Sequence, residues 1–310
     1  MRYPGGKGGA GTWQKLVSLM PPHELYIEPF YGGGAIMRLK KPAKLNIGLD
    51  LDRAAIEKAR PPAESRNGAT LGVAYPSFES ANGAAPLFCN YTTPPQLPTS
   101  GPGMLEPGRN LEAGPHFSFQ EGDGIAWLEH ALSFLRTFGS WAGGYGQALI
   151  YCDPPYMRHT CATRCRYKFD LTDVDHRRLL RVLQDLNALK DPPMLMISGY
   201  DSELYREILT PPTGSPAHLE NIATRHPWSH TTFQAMTRGG KQATEHLWFN
   251  FAPPQVLHDY RFMGTGFRDR ERIKRRQQHW VNRLKKMPEA EKQALLNAIQ
   301  ETATVNAGQP

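Results

Sequence analysis

The stretch "LYIEPFYGGGAIMRL" (25–39), together with "KLNIGLDLD" (44–52), decides the fold of the N-terminal region. Each contains a short apolar run that predicts a buried strand, and three consecutive glycines separate the first strand from a helical segment. The second strand ends in two acids, Asp50 and Asp52. Strand, glycine turn, helix and a strand with a terminal acid form the βαβ pattern of a nucleotide-binding half. We therefore expect a ligand crevice at the carboxyl ends of these strands.

The alternation of strands and helices continues beyond this unit. Further apolar strands are predicted at 116–120, at 148–152, in "PMLMISGY" (193–200) and in "TEHLWFNF" (244–251). Helical segments separate them, and one of these begins with Thr172-x-x-Asp175, a variant of the capping box. Such an order is typical of an α/β fold with a mostly parallel sheet and helices on both faces.

Composition divides the 310-residue chain into three parts, with the α/β body at 1–60 and 116–256. Residues 61–115 contain 10 Pro and 7 Gly but only two basic residues, which predicts an irregular insertion. Residues 257–310 predict a basic helical extension: 261–310 hold 11 Lys/Arg against 5 Asp/Glu, whereas the first 260 residues hold 25 against 24. A localised basic segment favours a polyanionic partner, although a solvated helix with surplus lysines is the alternative.

Several classes of protein do not fit this sequence. No apolar run approaches the roughly 20 residues that span a bilayer, and "MRYPGGKGG" (1–9) lacks the apolar stretch of a signal peptide. Four unevenly spaced cysteines do not make a disulfide framework, so a reducing cytoplasm is the expectation. His159, Cys161 and Cys165 lack a second pair at finger-like spacing, and we expect no metal site.

A chemical signal lies in "LIYCDPPY" (149–156), where a buried strand ends in an acid and two prolines. At the carboxyl end of a parallel strand, Asp153 can accept a hydrogen bond from an amino group. Pro154 and Pro155 supply carbonyls without competing N–H groups, and Tyr156 offers a flat face for a base. These residues describe a clamp for an exocyclic amine on a planar ring. The alternative is a structural turn with an Asp cap.

The glycine turn "EPFYGGGA" (28–35) is a weaker signal. It lets the backbone approach a ligand at a helix N-terminus, but it lacks the Lys-Ser/Thr ending of a P-loop. It also departs from G-x-G-x-x-G, so a purely structural turn stays open. Asp50, at the end of the next strand, suits the two hydroxyls of a ribose. Asp52 is the competing candidate, or it caps the following helix.

In their order along the chain, these motifs resemble the Dam-like (D12 class) DNA adenine N6-methyltransferases, which are often borne by phages or prophages. The resemblance includes "RYPGGKG" (2–8), "EPFYGGGA" (28–35), "GLDLD" (48–52), "EGDGIAWL" (121–128) and the catalytic "DPPY" (153–156). Downstream, it includes "DVDHRRLLRVL" (173–183), "MISGYDSELY" (196–205) and "GGKQATEHLWFN" (239–250). The resemblance implies a Rossmann-like class I methyltransferase fold that uses S-adenosylmethionine.

The resemblance also implies roles for individual residues. It implies direct methyl transfer, without a metal, to the N6 amine of an adenine flipped out of duplex DNA. The implied catalytic residues are Asp153, Pro154, Pro155 and Tyr156. The implied cofactor-binding residues are Tyr3, Lys7, Glu28, Phe30, Gly32, Gly34, Asp50, Asp123 and Asp153.

One departure from the family concerns DNA recognition. In relatives the target-recognition domain occupies the place of residues 61–115, which here offer few of the side chains that read bases or contact phosphates. We therefore expect relaxed sequence specificity and place the nucleic-acid contacts elsewhere. The candidates are Arg158, Arg164, Arg166 and Lys168 after the catalytic motif and Arg272, Arg275 and Arg276 in the tail.

The sequence leaves other functions open. A cytosine-N4 or RNA-adenine methyltransferase would use the same clamp, and an inactive relative would retain only nucleic-acid binding. For the leading hypothesis the expected partner is double-stranded DNA, without a membrane, and the protein is expected to be a monomer or a weak dimer. A role in DNA methylation or restriction–modification in a bacterial or phage-infected cell would follow.

Overall fold

The computed structural model of the chain describes residues 7–8, 11–59, 115–141, 145–160, 168–211, 213, 215, 226–236, 242–264 and 266–307, with backbone only for 236 and 302–307. Two compact units, Met1–Asp259 and Tyr260–Pro310, make up the chain. The sequence placed the start of the tail at residue 257. The predicted insertion, residues 61–115, lies outside the described residues except for Pro115.

The first unit contains one seven-stranded sheet and six α-helices among its described residues. The strands are β1 (Leu25–Glu28), β2 (Leu45–Asp50), β3 (His116–Glu121), β4 (Ala148–Cys152), β5 (Met194–Gly199), β6 (Ser229–Met236) and β7 (Gln242–Phe249). The helices are α1 (Thr12–Val17), α2 (Ala35–Leu39), α3 (Arg53–Ala59), α4 (Gly124–Phe138), α5 (Asp173–Asn187) and α6 (Glu203–Leu209).

The order of the strands across the sheet is β3-β2-β1-β4-β5-β7-β6. The first five strands run parallel, whereas β7 is antiparallel to both β5 and β6. A doubly wound nucleotide-binding sheet has the order 3-2-1-4-5-6, and its ligands bind where the strand order reverses, beside the first strand. This topology confirms the predicted fold class, a Rossmann-like α/β fold. It also sets β1 between β2 and β4, so that the ends of these three strands adjoin one crevice.

Side chains alternate between the two faces of the sheet. Ile27, Ile150 and Ile197 belong to one buried cluster with residues of α4, α5 and α6. Tyr26, the neighbour of Ile27, points to the opposite face, where the Nζ atom of Lys40 lies 4.0 Å from the centre of its ring. Because Lys40 directly follows α2, this helix and its successor loop belong to the second layer. Burial on both faces explains why these strands are almost continuously apolar.

Two helix starts near the crevice have side-chain caps. Thr172 and Asp175 form the predicted capping box at the start of α5, with Asp175 Oδ2 accepting from the Thr172 N–H at 2.8 Å. Asp123 caps α4, since its Oδ1 atom accepts from the N–H of Ile125 at 2.8 Å. These caps satisfy backbone donors that a helix leaves unpaired in its first turn.

The second unit contains two long helices, α7 (Phe267–Lys285) and α8 (Glu289–Ala307). The sequence predicted a basic helical extension over 257–310 without dividing it into separate helices. Pro288, which separates the two, is a common residue at a helix start because its missing N–H would be unpaired there anyway. No residue of α7 is buried. No helix in the described ranges is long and apolar enough to cross a membrane.

Candidate active site

A cavity opens at the carboxyl ends of β1, β2 and β4, where the fold predicts a ligand crevice. Its wall includes the glycine turn, the end of β2, the start of α4 and the Asp-Pro-Pro turn after β4. Among the predicted cofactor and catalytic residues, it contains Lys7, Glu28, Phe30, Gly32, Gly34, Asp50, Asp123, Asp153, Pro154 and Pro155. Tyr3 lies outside the described residues. The roles of these residues remain predictions, but the structure brings them together.

The glycine turn between β1 and α2 needs glycine at two positions. Gly32 and Gly34 have φ angles of 50° and 58°, which side-chain-bearing residues seldom adopt. A Cβ atom on Gly34 would also lie 2.0 Å from the ring of Tyr31. Tyr31 itself is tied to the second strand, because its N–H donates to the carbonyl of Leu49 at 2.7 Å. The turn is therefore a rigid wall of the cavity.

Asp50 connects this turn to the end of β2. Its Oδ2 atom accepts from the N–H of Gly32 at 2.6 Å, and its Oδ1 atom accepts from the N–H of Asp52 at 2.7 Å. Burial raises the pKa of Asp50, although the two backbone donors oppose this effect. Each carboxylate oxygen retains capacity to accept another bond, as a pair of ribose hydroxyls would require.

Asp52 has a different environment. Its Oδ1 atom accepts from the N–H of Ala54 at 3.2 Å at the start of α3 and pairs with Lys168 Nζ at 2.7 Å. The hydrogen bond from Lys168 is the main cause of a lowered pKa for Asp52. It does not belong to the residues that line the cavity. Of the two candidate acids, only Asp50 faces the crevice.

The start of α4 closes the far side of the cavity. A Cβ atom on Gly124 would lie 2.1 Å from the carbonyl oxygen of Pro29, so the two loops touch through backbone. Asp123, beside it, keeps 41% of its side chain exposed, and its Oδ2 atom lies 3.8 Å from Arg178. The carboxylate thus caps a helix and still faces the crevice.

Only one carboxylate oxygen of Asp153 is hydrogen-bonded to the described residues. Its Oδ1 atom accepts from Lys7 Nζ at 2.6 Å and from the hydroxyl of Ser198 at 2.9 Å. Its Oδ2 atom accepts no hydrogen bond from any residue in the described ranges, and 21% of the side chain is exposed. One oxygen therefore fixes the carboxylate while the other remains able to accept from a bound group.

Lys7 is the buried cation of the site, with only 2% of its side chain exposed. Besides Asp153, its Nζ atom lies 3.3 Å from Glu245 Oε2 and donates to the hydroxyl of Tyr156. Burial disfavours the ammonium, but the carboxylates of Asp153 and Glu245 outweigh this effect and raise the pKa of Lys7. Lys7 is thus an ammonium ion whose partners include two parts of the Asp-Pro-Pro-Tyr motif.

Tyr156 lies deeper than a freely accessible stacking surface. It is 6% exposed, and its ring centre lies 4.5 Å from that of Tyr200 at an angle of 55° between the planes. Its hydroxyl is held by Lys7. The predicted face for a base is therefore shared with a second aromatic residue from the end of β5.

Glu28 ends β1 as a buried acid. Its Oε1 atom accepts from the hydroxyl of Tyr26 at 2.7 Å. Burial raises the pKa of Glu28 to about 7, even though that hydrogen bond favours the carboxylate.

The predicted nucleic-acid contacts are less organised than the cavity. Arg158 pairs with Asp170 at 3.0 Å, Lys168 pairs with Asp52, and both basic side chains are exposed. Arg272 pairs with Asp269 at 2.6 Å, while Arg275 and Arg276 are exposed on α7. Arg164 and Arg166, like Cys161 and Cys165, lie outside the described residues.

Among the residues not predicted individually, Ser198 and Glu245 contact the predicted residues Asp153 and Lys7 directly. Both lie in segments that carried the family resemblance, "MISGYDSELY" and "GGKQATEHLWFN". An acid in the buried strand β7 was the available signal, because an unpaired carboxylate is rarely placed in a core.

Comparisons with known proteins add little to these observations. No family model matches the chain, and no curated protein matches it. Precorrin 8W decarboxylase from Methanobacterium thermoautotrophicum is 10% identical, over 81% of this chain and 94% of that chain, with a TM-score of 0.35. The methyltransferase domain of bacterial CtHen1-CN is 12% identical, over 76% and 93%, with a TM-score of 0.31. Both TM-scores are too low to identify the fold, which is identified by the strand order of the sheet.

Proposed function

We propose that this protein is an S-adenosylmethionine-dependent DNA adenine N6-methyltransferase. One observation carries the proposal: a single cavity joins the glycine turn and Asp50 to Asp153, whose Oδ2 atom accepts no bond within the described residues. A donor site and an amine clamp in one cavity are what methyl transfer to an exocyclic amine requires, because the reaction depends on positioning.

The residues of the first half fit a nucleoside-bearing cofactor. Asp50 would hold the ribose hydroxyls, the backbone of Gly32 to Gly34 would approach the cofactor closely, and Phe30 would supply apolar surface. Asp123 would lie near the adenine ring, as the family resemblance implies. S-adenosylmethionine supplies an electrophilic methyl group on a sulfonium, and no metal is needed for such chemistry.

The residues of the second half fit the target amine. Asp153 Oδ2 and the carbonyl of Pro154 would accept hydrogen bonds from the two protons of the amine. Those bonds draw the nitrogen lone pair out of the ring system and aim it. A permanently deprotonated base is not required, since the amine proton becomes acidic when the nitrogen is alkylated. Tyr156, shared with Tyr200, would contact the flipped base.

Double-stranded DNA is the partner that the charge distribution favours. The helix α7 carries eight basic residues against two acidic ones, and the post-catalytic segment adds Arg158 and Lys168. Such positive charge binds phosphates without reading sequence. The insertion at 61–115 contains little that reads base edges, and we therefore propose relaxed sequence specificity.

The test of the proposed function is transfer of a tritiated methyl group from S-adenosylmethionine to unmethylated duplex DNA, followed by nucleoside analysis. We expect labelled N6-methyladenine. N4-methylcytosine as the product, or transfer to RNA alone, would replace the proposal with one of the two other methyltransferase functions. Binding of DNA without transfer at any substrate concentration would identify an inactive relative.

Specificity needs a separate measurement. Mapping methylated adenines on a plasmid at single-base resolution should show modification in several sequence contexts. Restriction of the signal to one strict four-base motif would contradict relaxed specificity while leaving the methyl-transfer proposal intact.

A further inference from the structure

Glu245 is a buried acid that no motif assigned to the site. It lies within the antiparallel strand β7, with 8% of its side chain exposed, opposite Phe233 of β6. Its Oε2 atom lies 3.3 Å from Lys7 Nζ, and its carboxylate also interacts with the hydroxyl of Tyr156. Because Lys7 donates to that same hydroxyl, the three side chains form a closed group.

Burying this group costs free energy, because it holds one more acid than the single ammonium requires. One ammonium, that of Lys7, faces two carboxylates, those of Asp153 and Glu245. Burial raises the pKa of Glu245, and the interactions with Lys7 and Tyr156 only partly oppose that effect. Asp153 alone would neutralise Lys7, so the second acid is not needed to balance its charge.

The position of Glu245 explains what the second acid does. Lys7 Nζ contacts both carboxylates, at 2.6 Å from Asp153 and 3.3 Å from Glu245. The second contact restrains the ammonium and so keeps it in place beside Asp153. Fixing Lys7 fixes Asp153 Oδ1, which leaves Oδ2 able to accept from a group bound in the cavity that Asp153 lines. The same acid restrains the hydroxyl of Tyr156 and, through it, the ring.

We propose that Glu245 is a positioning residue that orients both functional ends of the Asp-Pro-Pro-Tyr motif, Asp153 through Lys7 and the Tyr156 ring through its hydroxyl. This inference rests on the proposed methyl-transfer function. Glu245 is not among the residues that line the cavity, so its proposed role is indirect. A polar group supplied by the last, antiparallel part of the sheet thus organises a motif at the end of a central parallel strand.

The direct test is the kinetics of Glu245→Gln, which keeps the shape of the side chain but removes its charge. Misaligned reacting groups lower the rate of the chemical step, so we expect kcat to fall roughly 10- to 100-fold. The KM for S-adenosylmethionine should change much less than kcat, since Glu245 is not among the residues that line the cavity. Glu245→Asp, which retains the carboxylate, should regain part of kcat.

The matched control is Glu57→Gln, because Glu57 is an exposed acid on α3 that pairs with Arg53 at 2.8 Å. We expect it to leave kcat unchanged. The midpoint of thermal unfolding, measured for every variant, separates positioning from folding. If Glu245→Gln lowers kcat only in proportion to a lost folded fraction, and Glu245→Asp restores neither, the acid is structural and the inference is overturned.

A second comparison tests whether Glu245 acts through Lys7. In a Lys7→Met background the Glu245→Gln change should lower kcat by less than about threefold, because residues that act as a unit are not additive. Equal losses in both backgrounds would overturn the inference. Wild-type protein that transfers no methyl group would refute the proposed function instead. A Glu245→Gln variant with wild-type kcat would refute only the role of Glu245.

Discussion

Two cationic regions of this molecule are built in opposite ways. Lys7, in the first unit, is buried among Asp153, Glu245 and Tyr156. The helix α7, in the second unit, carries eight Lys and Arg residues and buries none of them. A buried ammonium depends on each partner, because every unpaired charge in an interior is costly. Exposed charges act through their sum and are screened by salt, so no single one is decisive.

The difference separates two kinds of information in the sequence. The arrangement around Lys7 requires particular residues at particular places, and motifs such as "RYPGGKG" and "DPPY" are therefore recognisable in the sequence. The tail requires only a helix with surplus positive charge, which many sequences satisfy. Substitutions should accordingly have large, discrete effects in the first region and small, salt-dependent effects in the second.

The largest effect on stability is expected for Lys7→Met. Removing the ammonium leaves the carboxylates of Asp153 and Glu245 without their counter-charge, and breaking a buried pair in this way costs about 3–5 kcal/mol. Urea unfolding at neutral pH would measure the loss. A cost similar to that of an exposed ion pair would contradict a buried network.

The pH dependence of the Lys7→Met loss has a definite sign. In the wild type the raised pKa of Lys7 keeps its stabilising charge present at every pH below the ordinary lysine range. In the variant Glu245, whose pKa is already raised by burial, loses the opposing charge of Lys7, so stability falls as pH rises and the loss should be larger at pH 8 than at pH 5. Lys44→Met is the control, since its pair with Glu24 is exposed and should contribute at most about 1 kcal/mol.

The next effect concerns the cofactor half of the cavity. Asp50→Asn replaces one acceptor oxygen by a donor, which cannot accept from both Gly32 and Asp52. We expect the Kd for S-adenosylmethionine to rise at least about tenfold, or 1.4 kcal/mol, by titration calorimetry. Asp52→Asn should change the Kd by less than about twofold, because Asp52 caps α3 outside the cavity. The reverse ranking would mean that Asp52 rather than Asp50 holds the ribose.

The smallest and most graded effect is expected in the tail. Deleting residues 261–310 should weaken DNA binding and flatten its dependence on salt, by about 0.9 in logarithmic slope for each phosphate that the tail neutralises. Binding measured by fluorescence anisotropy from 50 to 300 mM salt would show this. An unchanged slope would mean that the tail does not bind DNA.

Much of the fold could be predicted because the strands of the parallel part are buried on both faces. The apolar runs around Ile27 and Ile150 predicted strands, and Thr172 with Asp175 predicted the start of a helix. The direction of β7 and its pairing with β6 were not predicted. The polar residues of "SHTTFQAM" (229–236) lie on an edge strand with one neighbour, so little apolar sequence marks it. The tail was predicted to be helical as a whole, but its division into α7 and α8 was not predicted.

The site was predictable where a motif is local in sequence. Asp153 and the glycine turn are motifs of a few adjacent residues. The ion pair between Lys7 and Glu245 joins residues at opposite ends of the first unit, and no periodicity links them. The burial of Tyr156 was also not predictable, since it follows from packing against Tyr200.

The most direct test of the central claim is methyl transfer by Asp153→Asn under single-turnover conditions. The substitution preserves an acceptor for Lys7 and Ser198 but presents a donor where the target amine needs an acceptor. We expect transfer to adenine to slow by about 10²–10³-fold, while the variant still binds S-adenosylmethionine within about tenfold of wild type. Transfer at the wild-type rate would contradict an amine clamp at Asp153.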